Sequence, residues 1–125
     1  MDEDRIGKLI VPAAMQVHTA LGAGLLENAY EACLAYELAK RGIMVQRQVS
    51  MPVIYESVRL DVGYRIDLLL GQKVVVEIKA VDRVSPAHLA QILTYLKLGG
   101  YKLGFLLNFN VPHMRDGIKR VVNGL

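Results

Sequence analysis

The stretch of sequence that decides the fold is YRIDLLLGQKVVVEIK, residues 64–79. It consists of two apolar runs with Gly71-Gln72-Lys73 between them, a pattern typical of a β-hairpin. A loop of two residues would pair Leu70 with a lysine and mix polar and apolar side chains on both faces, which sheet registers avoid. A loop of three residues pairs Leu70 with Val74 and keeps each apolar side chain on its own face. We therefore predict a hairpin with the three-residue loop.

The same hairpin places two carboxylates opposite each other. In the predicted register Ile66 pairs with Ile78, and Asp67 pairs with Glu77 with Cβ atoms ~4.5–5.5 Å apart. Like charges at that separation destabilise a sheet unless a partner neutralises them, and oxygen ligands suit Mg²⁺ or Mn²⁺. Lys79 projects from the same face, where it can stabilise charge developing on a phosphate. The pattern fits metal-assisted phosphodiester hydrolysis, and it also fits an ordinary solvated sheet surface with ion pairs.

Hydrophobic periodicity around the hairpin predicts an α/β fold, a mixed central sheet flanked by helices in the order ααβββαβα. Every second residue from Val58 to Leu70 is apolar, which predicts one continuous strand with one buried face. The second helix is apolar almost all round, so we expect it to be largely buried. The predicted helices cover residues 4–21, 25–41, 86–98 and 114–122, and the predicted strands cover 43–50 with a continuation to 55, 58–70, 73–80 and 101–109.

Composition limits the class of protein. The chain has 125 residues, 53% of them hydrophobic and 22% charged, which fits a single domain over residues 1–125 and excludes a disordered chain. No window approaches the ~18 apolar residues of a membrane span. The one cysteine, Cys33, excludes an internal disulfide and a cysteine-rich zinc site. The start, Met1-Asp2-Glu3-Asp4, is acidic and unlike a secretory signal or a transit peptide, so we expect a cytoplasmic protein.

Charge is distributed unevenly along the chain. Residues 1–40 carry six acidic and three basic side chains (net −3), whereas residues 41–125 carry six acidic and twelve basic ones (net +6). The excess of basic residues over positions 41–125 allows a polyanionic partner such as a nucleic acid. Lys97, Lys102 and Lys119 are candidate phosphate contacts, which position DNA without reading its sequence.

Some polar residues have no partner of suitable chemistry nearby in the sequence. His18 and His113 stand apart from any cluster of metal ligands, and we assign them no role. His88 shares a predicted helix face with Gln91 and Tyr95, a polar stripe typical of a solvated helix face.

The order of these motifs resembles the PD-(D/E)XK nuclease superfamily. Within it, the segment GLLENAY, residues 24–30, is similar to the signature of the GxxExxY family. The similarity covers essentially the whole chain. It includes YRID at residues 64–67, EIKA at 77–80, QILTYL at 91–96, and the tail from NFN at 108–110 to DGIKR at 116–120.

The resemblance implies a restriction-endonuclease-like core and a role for particular residues. Asp67 and Glu77 would be ligands of a Mg²⁺ or Mn²⁺ ion, and the backbone carbonyl of Ile78 would be a further ligand. Lys79 would be the catalytic lysine. Glu27 would be the acidic residue that the first core helix brings to the metal.

The resemblance also implies a substrate. Gln91 and Tyr95 match a QxxxY element of the exonuclease-like branch, which lies beside the metal and the DNA end. The implied activity is Mg²⁺-dependent hydrolysis of DNA, of the processing or repair type and without sequence specificity, with RNA as a further possibility. Two alternatives stay open: a catalytically inactive nuclease-like module that binds nucleic acid or a partner protein, and a structural homodimer.

Overall fold

The computed structural model describes residues 1–125 and shows a five-stranded sheet with helices on both faces. One face carries helix α1 (Glu3–Leu21) and helix α2 (Glu27–Lys40), and the other carries helix α3 (Pro86–Gly99). The predicted α/β class with a mixed, helix-flanked sheet is confirmed. No helix of the protein combines the length and the apolar character that a membrane crossing requires.

The strand directions bring the ends of two strands together. In chain order the strands are β1 (Val45–Ser50), β2 (Val53–Tyr55), β3 (Val58–Leu60), β4 (Arg65–Leu70), β5 (Val74–Lys79), β6 (Leu103–Asn108) and β7 (Ile118–Val122). The large sheet has the order β1-β4-β5-β6-β7, and only β5 and β6 are parallel. Because α3 crosses back between them, both strands finish at the same end of the sheet. We call the end of the sheet at which β5 and β6 finish the carboxyl end. Because β4 is antiparallel to β5, β4 begins at this end.

The predicted start of α3 is confirmed, and its cap shows the structural role of His88. Ser85 is the N-cap and Pro86 the first helical residue. The Ser85 hydroxyl accepts a hydrogen bond from the backbone N–H of His88, and the His88 ring nitrogen Nδ1 accepts one from the backbone N–H of Ser85. This reciprocal cap satisfies two backbone donors that a helix start leaves free. His88 therefore stabilises the helix start.

The predicted hairpin register is confirmed along the part of β4 and β5 that pairs. The pairs run from Leu70 opposite Val74 to Leu68 opposite Val76, which leaves a three-residue loop. β5 and β6 are buried along nearly their whole length because they lie between both helical layers. Such strands read as continuous apolar runs.

The regular pairing ends at Asp67. The predicted pair of Ile66 and Ile78 on one face is wrong, because Ile66 packs in the cluster beneath α3 whereas Ile78 packs in the cluster beneath α1 and α2. Leu68 also packs beneath α1 and α2, so the alternation along β4 is broken between Ile66 and Leu68. On β1, Gln48 lies between the residues that pair with Leu68 and Ile66, and its φ is +53°. Two neighbouring strands are therefore irregular at the same place.

The continuous strand predicted over residues 58–70 is wrong in its first half. β3 pairs with β2 in a separate two-stranded sheet, and β4 starts only at Arg65. Between them Gly63 has a φ of +84°, a conformation that favours glycine. Val58 and Leu60 are exposed because no helix covers this small hairpin.

Two helix predictions also need correction. The last helix, predicted over residues 114–122, is a 3₁₀ turn (Met114–Gly117) followed by β7. Its β-branched residues extend the sheet by pairing with the free edge of β6, and this pairing outweighs the weak helical pattern. Helix α2 is buried only on the side that faces the sheet and α1, while Tyr36 on its outer side is 65% exposed.

Gly117 lies where the 3₁₀ turn passes close to β6. A Cβ atom at this position would collide with the backbone carbonyl oxygen of Asn108. We expect Gly117→Ala to lower the free energy of unfolding by about 1–3 kcal/mol, because the backbone must shift. Urea denaturation followed by circular dichroism measures this change in the free energy of unfolding.

Gly7→Ala is the matched control. Its Cβ would meet only the side chains of Leu103 and Phe105 at 3.4 Å, in a helix, where alanine is favoured over glycine by up to about 1 kcal/mol. A Gly117→Ala protein as stable as the wild type would contradict the close approach.

Candidate active site

The side chains of Asp67 and Glu77 meet where the pairing of β4 with β5 ends. The backbone N–H of Ile78 donates to Oδ2 of Asp67 at 2.8 Å, and the backbone N–H of Asp67 donates to Oε1 of Glu77 at 3.4 Å. Each carboxylate thus takes the place that a backbone carbonyl has in a regular ladder. The two acidic side chains that the sequence predicts to be neighbours do lie together, through a break in the sheet.

The environment of Glu77 raises its pKa far above the usual range of a carboxyl group. Its side chain is 5% exposed, and this burial, together with the negative charge of Asp67, raises the pKa of Glu77 from 4.5 to about 9. The positive charge of Lys79 opposes the shift only in part. A buried carboxyl group of this kind either holds a proton or requires a cation. The pair has the electrostatic character of a cation site.

Lys79 and Glu27 lie at the end of β5. Lys79 is half-buried and takes part in none of the protein's four ion pairs. Oε2 of Glu27, in the first turn of α2, accepts a hydrogen bond at 3.3 Å from the backbone N–H of Ala80. The structure therefore brings Glu27 next to the residue that follows Lys79.

Tyr30 explains why the start of α2 reaches this position. Its ring stacks on Phe109, with centroids 4.6 Å apart. Its hydroxyl donates to the carbonyl of Gly22 at 2.6 Å and accepts from the backbone N–H of Leu25 at 3.1 Å. Tyr30 thus fastens the turn before α2 and the start of this helix to the loop after β6, which holds Glu27 at the carboxyl end.

Sequence reasoning missed Glu31 and Gln48. Oε1 of the buried Glu31 accepts from Nε2 of Gln48 at 2.6 Å, and the same nitrogen donates to Oδ1 of Asp67 at 3.3 Å. Arg47 forms an ion pair with Glu31 at 3.0 Å. This network holds Asp67 from the side opposite Glu77. One signal was available: Glu31 follows Glu27 by four residues and so shares its helix face.

Asn108 is a second residue that sequence reasoning left without a role. It is buried at the end of β6, and its amide donates to the carbonyl of Val81 at 2.9 Å. Its Oδ1 accepts from the backbone N–H groups of Val81 at 3.1 Å and of Asn110 at 3.2 Å. Asn108 therefore fastens the loop after β5 to the loop after β6, directly beside Lys79.

Gln91 and Tyr95 lie on the face of the sheet that Glu77 shares. The two residues line a groove of about 340 Å³, and the ring of Tyr64 lies 6.0 Å from that of Tyr95. Burial, and then the charges of Glu77, Tyr64 and Asp67, raise the pKa of Tyr95. The structure thus brings Tyr95 within electrostatic reach of both carboxylates, and it places Gln91 beside Tyr95.

The three lysines predicted as phosphate contacts do not lie together in the structure. Lys119 on β7 pairs with Leu106, which in turn pairs with Glu77, so that two strand spacings (about 10 Å) separate Lys119 from Glu77. Lys97 lies near the end of α3, and Lys102 precedes β6. These two are at the opposite end of the sheet, and the structure does not bring them to the carboxylates.

The residues at the carboxylate pair fit a hard divalent cation. Mg²⁺ is usually held by one or two carboxylates and keeps several water molecules. Asp67, Glu77 and the carbonyl of Ile78 provide oxygen donors only, and burial together with the charge of Asp67 disfavours the ionised form of Glu77, which a bound cation would stabilise. No group of three or more histidine, cysteine or carboxylate side chains is arranged to hold a metal ion.

A family comparison agrees with this geometry. The model of the PD-(D/E)XK nuclease superfamily matches residues 4–121. The chain therefore belongs to the PD-(D/E)XK nuclease superfamily, and the resemblance is confirmed at that level. Membership of the GxxExxY family within it stays a prediction. Searches of the curated proteins and of the solved structures gave no match.

Glu77→Gln is expected to stabilise the metal-free protein at alkaline pH. Between pH 4.5 and about 9 the folded wild type holds a proton that the unfolded chain has lost. The stability of the wild type therefore falls as the pH rises through this window. Glutamine is neutral throughout, so we expect the variant to be more stable by about 2 kcal/mol near pH 8.

Urea denaturation in EDTA, at several pH values from about 5 to 8, measures the difference. Glu56→Gln, which removes an exposed carboxylate in the turn between β2 and β3, is the control. Parallel pH profiles for wild type and Glu77→Gln would show that Glu77 is not held protonated.

Proposed function

We propose that this protein is a divalent-metal-dependent nuclease that hydrolyses phosphodiester bonds of DNA without reading its sequence. The observation that carries the proposal is the pair of the half-buried Asp67 and the buried Glu77, next to Lys79, in a member of the PD-(D/E)XK superfamily. A role in DNA processing or repair and a cytoplasmic location belong to the same proposal. RNA is the alternative substrate.

The proposed mechanism assigns a task to each residue at the end of β5. Asp67, Glu77 and the carbonyl of Ile78 would hold Mg²⁺ or Mn²⁺, with Glu27 close by. When bound, the cation lowers the pKa of a water molecule and stabilises charge on the phosphate. Lys79 donates hydrogen bonds to the attacking water or to a phosphate oxygen, since its ammonium group makes no ion pair within the protein.

The groove beneath α3 would place the substrate. Gln91 offers an amide and Tyr95 a hydroxyl on the side of the carboxylates, and the exposed ring of Tyr64 offers a surface for a base. Gln48 and Asn108 are positioning residues, since they contact Asp67 and the loop after β5 respectively.

Cleavage of labelled DNA tests the proposal. Single- and double-stranded DNA, and RNA, are incubated with Mg²⁺, Mn²⁺ or EDTA. We expect metal-dependent cleavage that falls by at least about a hundredfold in Glu77→Gln and in Lys79→Ala, because Glu77 would hold the cation and Lys79 would contact the attacking water or the phosphate.

Lys73→Ala, purified identically, is the matched control for Lys79→Ala, since Lys73 is exposed at the other end of β5. Glu77→Gln, purified identically, controls for contaminating nuclease. Equal cleavage by wild type and Glu77→Gln, or none by either, would exclude the proposed activity.

Metal binding is tested separately from cleavage. A cation that binds only the folded chain raises the unfolding temperature by mass action. We expect Mn²⁺ to raise this temperature for the wild type and to leave it unchanged for Asp67→Asn, in calorimetry with CaCl₂-free buffer. A similar rise for both proteins would place the cation elsewhere.

A second candidate function is a structural homodimer. The hairpin of β2 and β3 exposes Ile54 (55%), Tyr55 (63%) and Val58 (54%), and the charged residues of this segment balance, so that two copies would not repel each other. Light scattering at several concentrations tests it. A monomer would exclude the dimer, and a dimer without metal-dependent cleavage would favour this role over catalysis.

A further inference from the structure

A polar groove lies between the last part of α1 and the loop that follows β6. Its volume is about 500 Å³, and its polar lining consists of His18, Thr19, His113 and Arg115. The two histidines are far apart in the sequence, and neither has another metal-ligating residue clustered with it along the chain. The fold brings both of them to one groove, together with an arginine.

The groove is at the same end of the sheet as the carboxylates. The backbone N–H of Phe109 donates to the carbonyl of Lys79 at 3.0 Å. His113 follows Phe109 by four residues, a distance of at most about 14 Å along an extended chain. Nε2 of His18 lies 2.8 Å from the carbonyl of Val111, which ties α1 to this loop. The groove therefore begins within about 17 Å of the carbonyl oxygen of Lys79, because the 3.0 Å hydrogen bond adds to the length of the chain segment.

The backbone of Arg115 is held in place by its neighbours, although the side chain is exposed. Its neighbour Met114 is buried, and Gly117 packs against the carbonyl of Asn108. The backbone N–H of Asp116 donates to the carbonyl of His113 at 3.0 Å, which closes the turn. Arg115 takes part in none of the four ion pairs, so its guanidinium group is available to an anion.

We propose that this groove binds the phosphate backbone of the strand that is cut at Asp67 and Glu77. The inference rests on the proposed function. A nucleic-acid strand rises ~3.4 Å per nucleotide, so a phosphate within about five nucleotides of the cut reaches the groove. Arg115 contacts the phosphate, and the Thr19 hydroxyl and the His113 ring are further hydrogen-bond donors.

Anisotropy of fluorescent DNA in EDTA measures binding without cleavage. We expect Arg115→Ala to weaken binding about tenfold. We also expect it to reduce the slope of log K against log salt concentration by about 1, because one phosphate contact is lost. His113→Gln keeps a hydrogen-bond donor and tests the ring separately.

Arg120→Ala is the matched control. It removes the same charge from an exposed position on β7, where Arg120 makes only a 3.8 Å ion pair with Asp4, and it leaves the groove intact. We expect binding by this variant to be within about twofold of the wild type. Circular dichroism checks that each variant is folded.

The outcomes separate the two proposals. Wild-type cleavage with Arg115→Ala unaffected in binding and salt slope would overturn the groove and leave the nuclease. Weaker binding by Arg115→Ala without cleavage by the wild type would support the groove and overturn the nuclease. Loss of binding only when Lys97 and Lys102 are both replaced by alanine, or no binding by the wild type, would also overturn the groove.

Discussion

The separation of β4 from β5 at Asp67 is the constraint on which the candidate site depends. Where the regular ladder stops, the N–H of Ile78 needs an acceptor, and the carboxylate of Asp67 supplies it. Glu77 does the same for the N–H of Asp67. Two acids are therefore held together by the backbone that they satisfy. The network of Glu31 and Gln48 fixes Asp67 from the other side, and burial, followed by the charge of Asp67, raises the pKa of Glu77.

The parallel pair of β5 and β6 explains why other polar groups gather near these acids. Because a helical crossover joins the two strands, the loops that follow them leave the sheet side by side. Asn108 fastens these loops together, and stacking of Tyr30 on Phe109 brings the start of α2 to the same place. Residues distant in sequence, among them Glu27 and Arg115, thus lie at one end of the sheet. The opposite end receives Lys97 and Lys102.

Much of the candidate site was predictable because it lies in a single hairpin. The loop length follows from the apolar pattern, and it places Asp67 near Glu77 without knowledge of the rest of the chain. Glu31 and Gln48 were not predictable in this way. The spacing of Glu31 from Glu27 places the two on one helix face, but its contacts with Arg47 and Gln48 join two separate elements, and the pattern of α2 does not encode them.

The class of fold, the hairpin register from Leu68 to Val76 and the start of α3 follow from the amino-acid sequence, since each depends on the spacing of apolar residues or on a local cap. Contacts between distant elements set the point at which that periodicity ends. Ile66 leaves the face of Leu68 because the strand pairs differently on either side of Asp67. The final segment became β7 because β6 offered it an open edge. A pattern along the chain records how a residue alternates with its neighbours, but only the folded chain supplies the partner against which it packs.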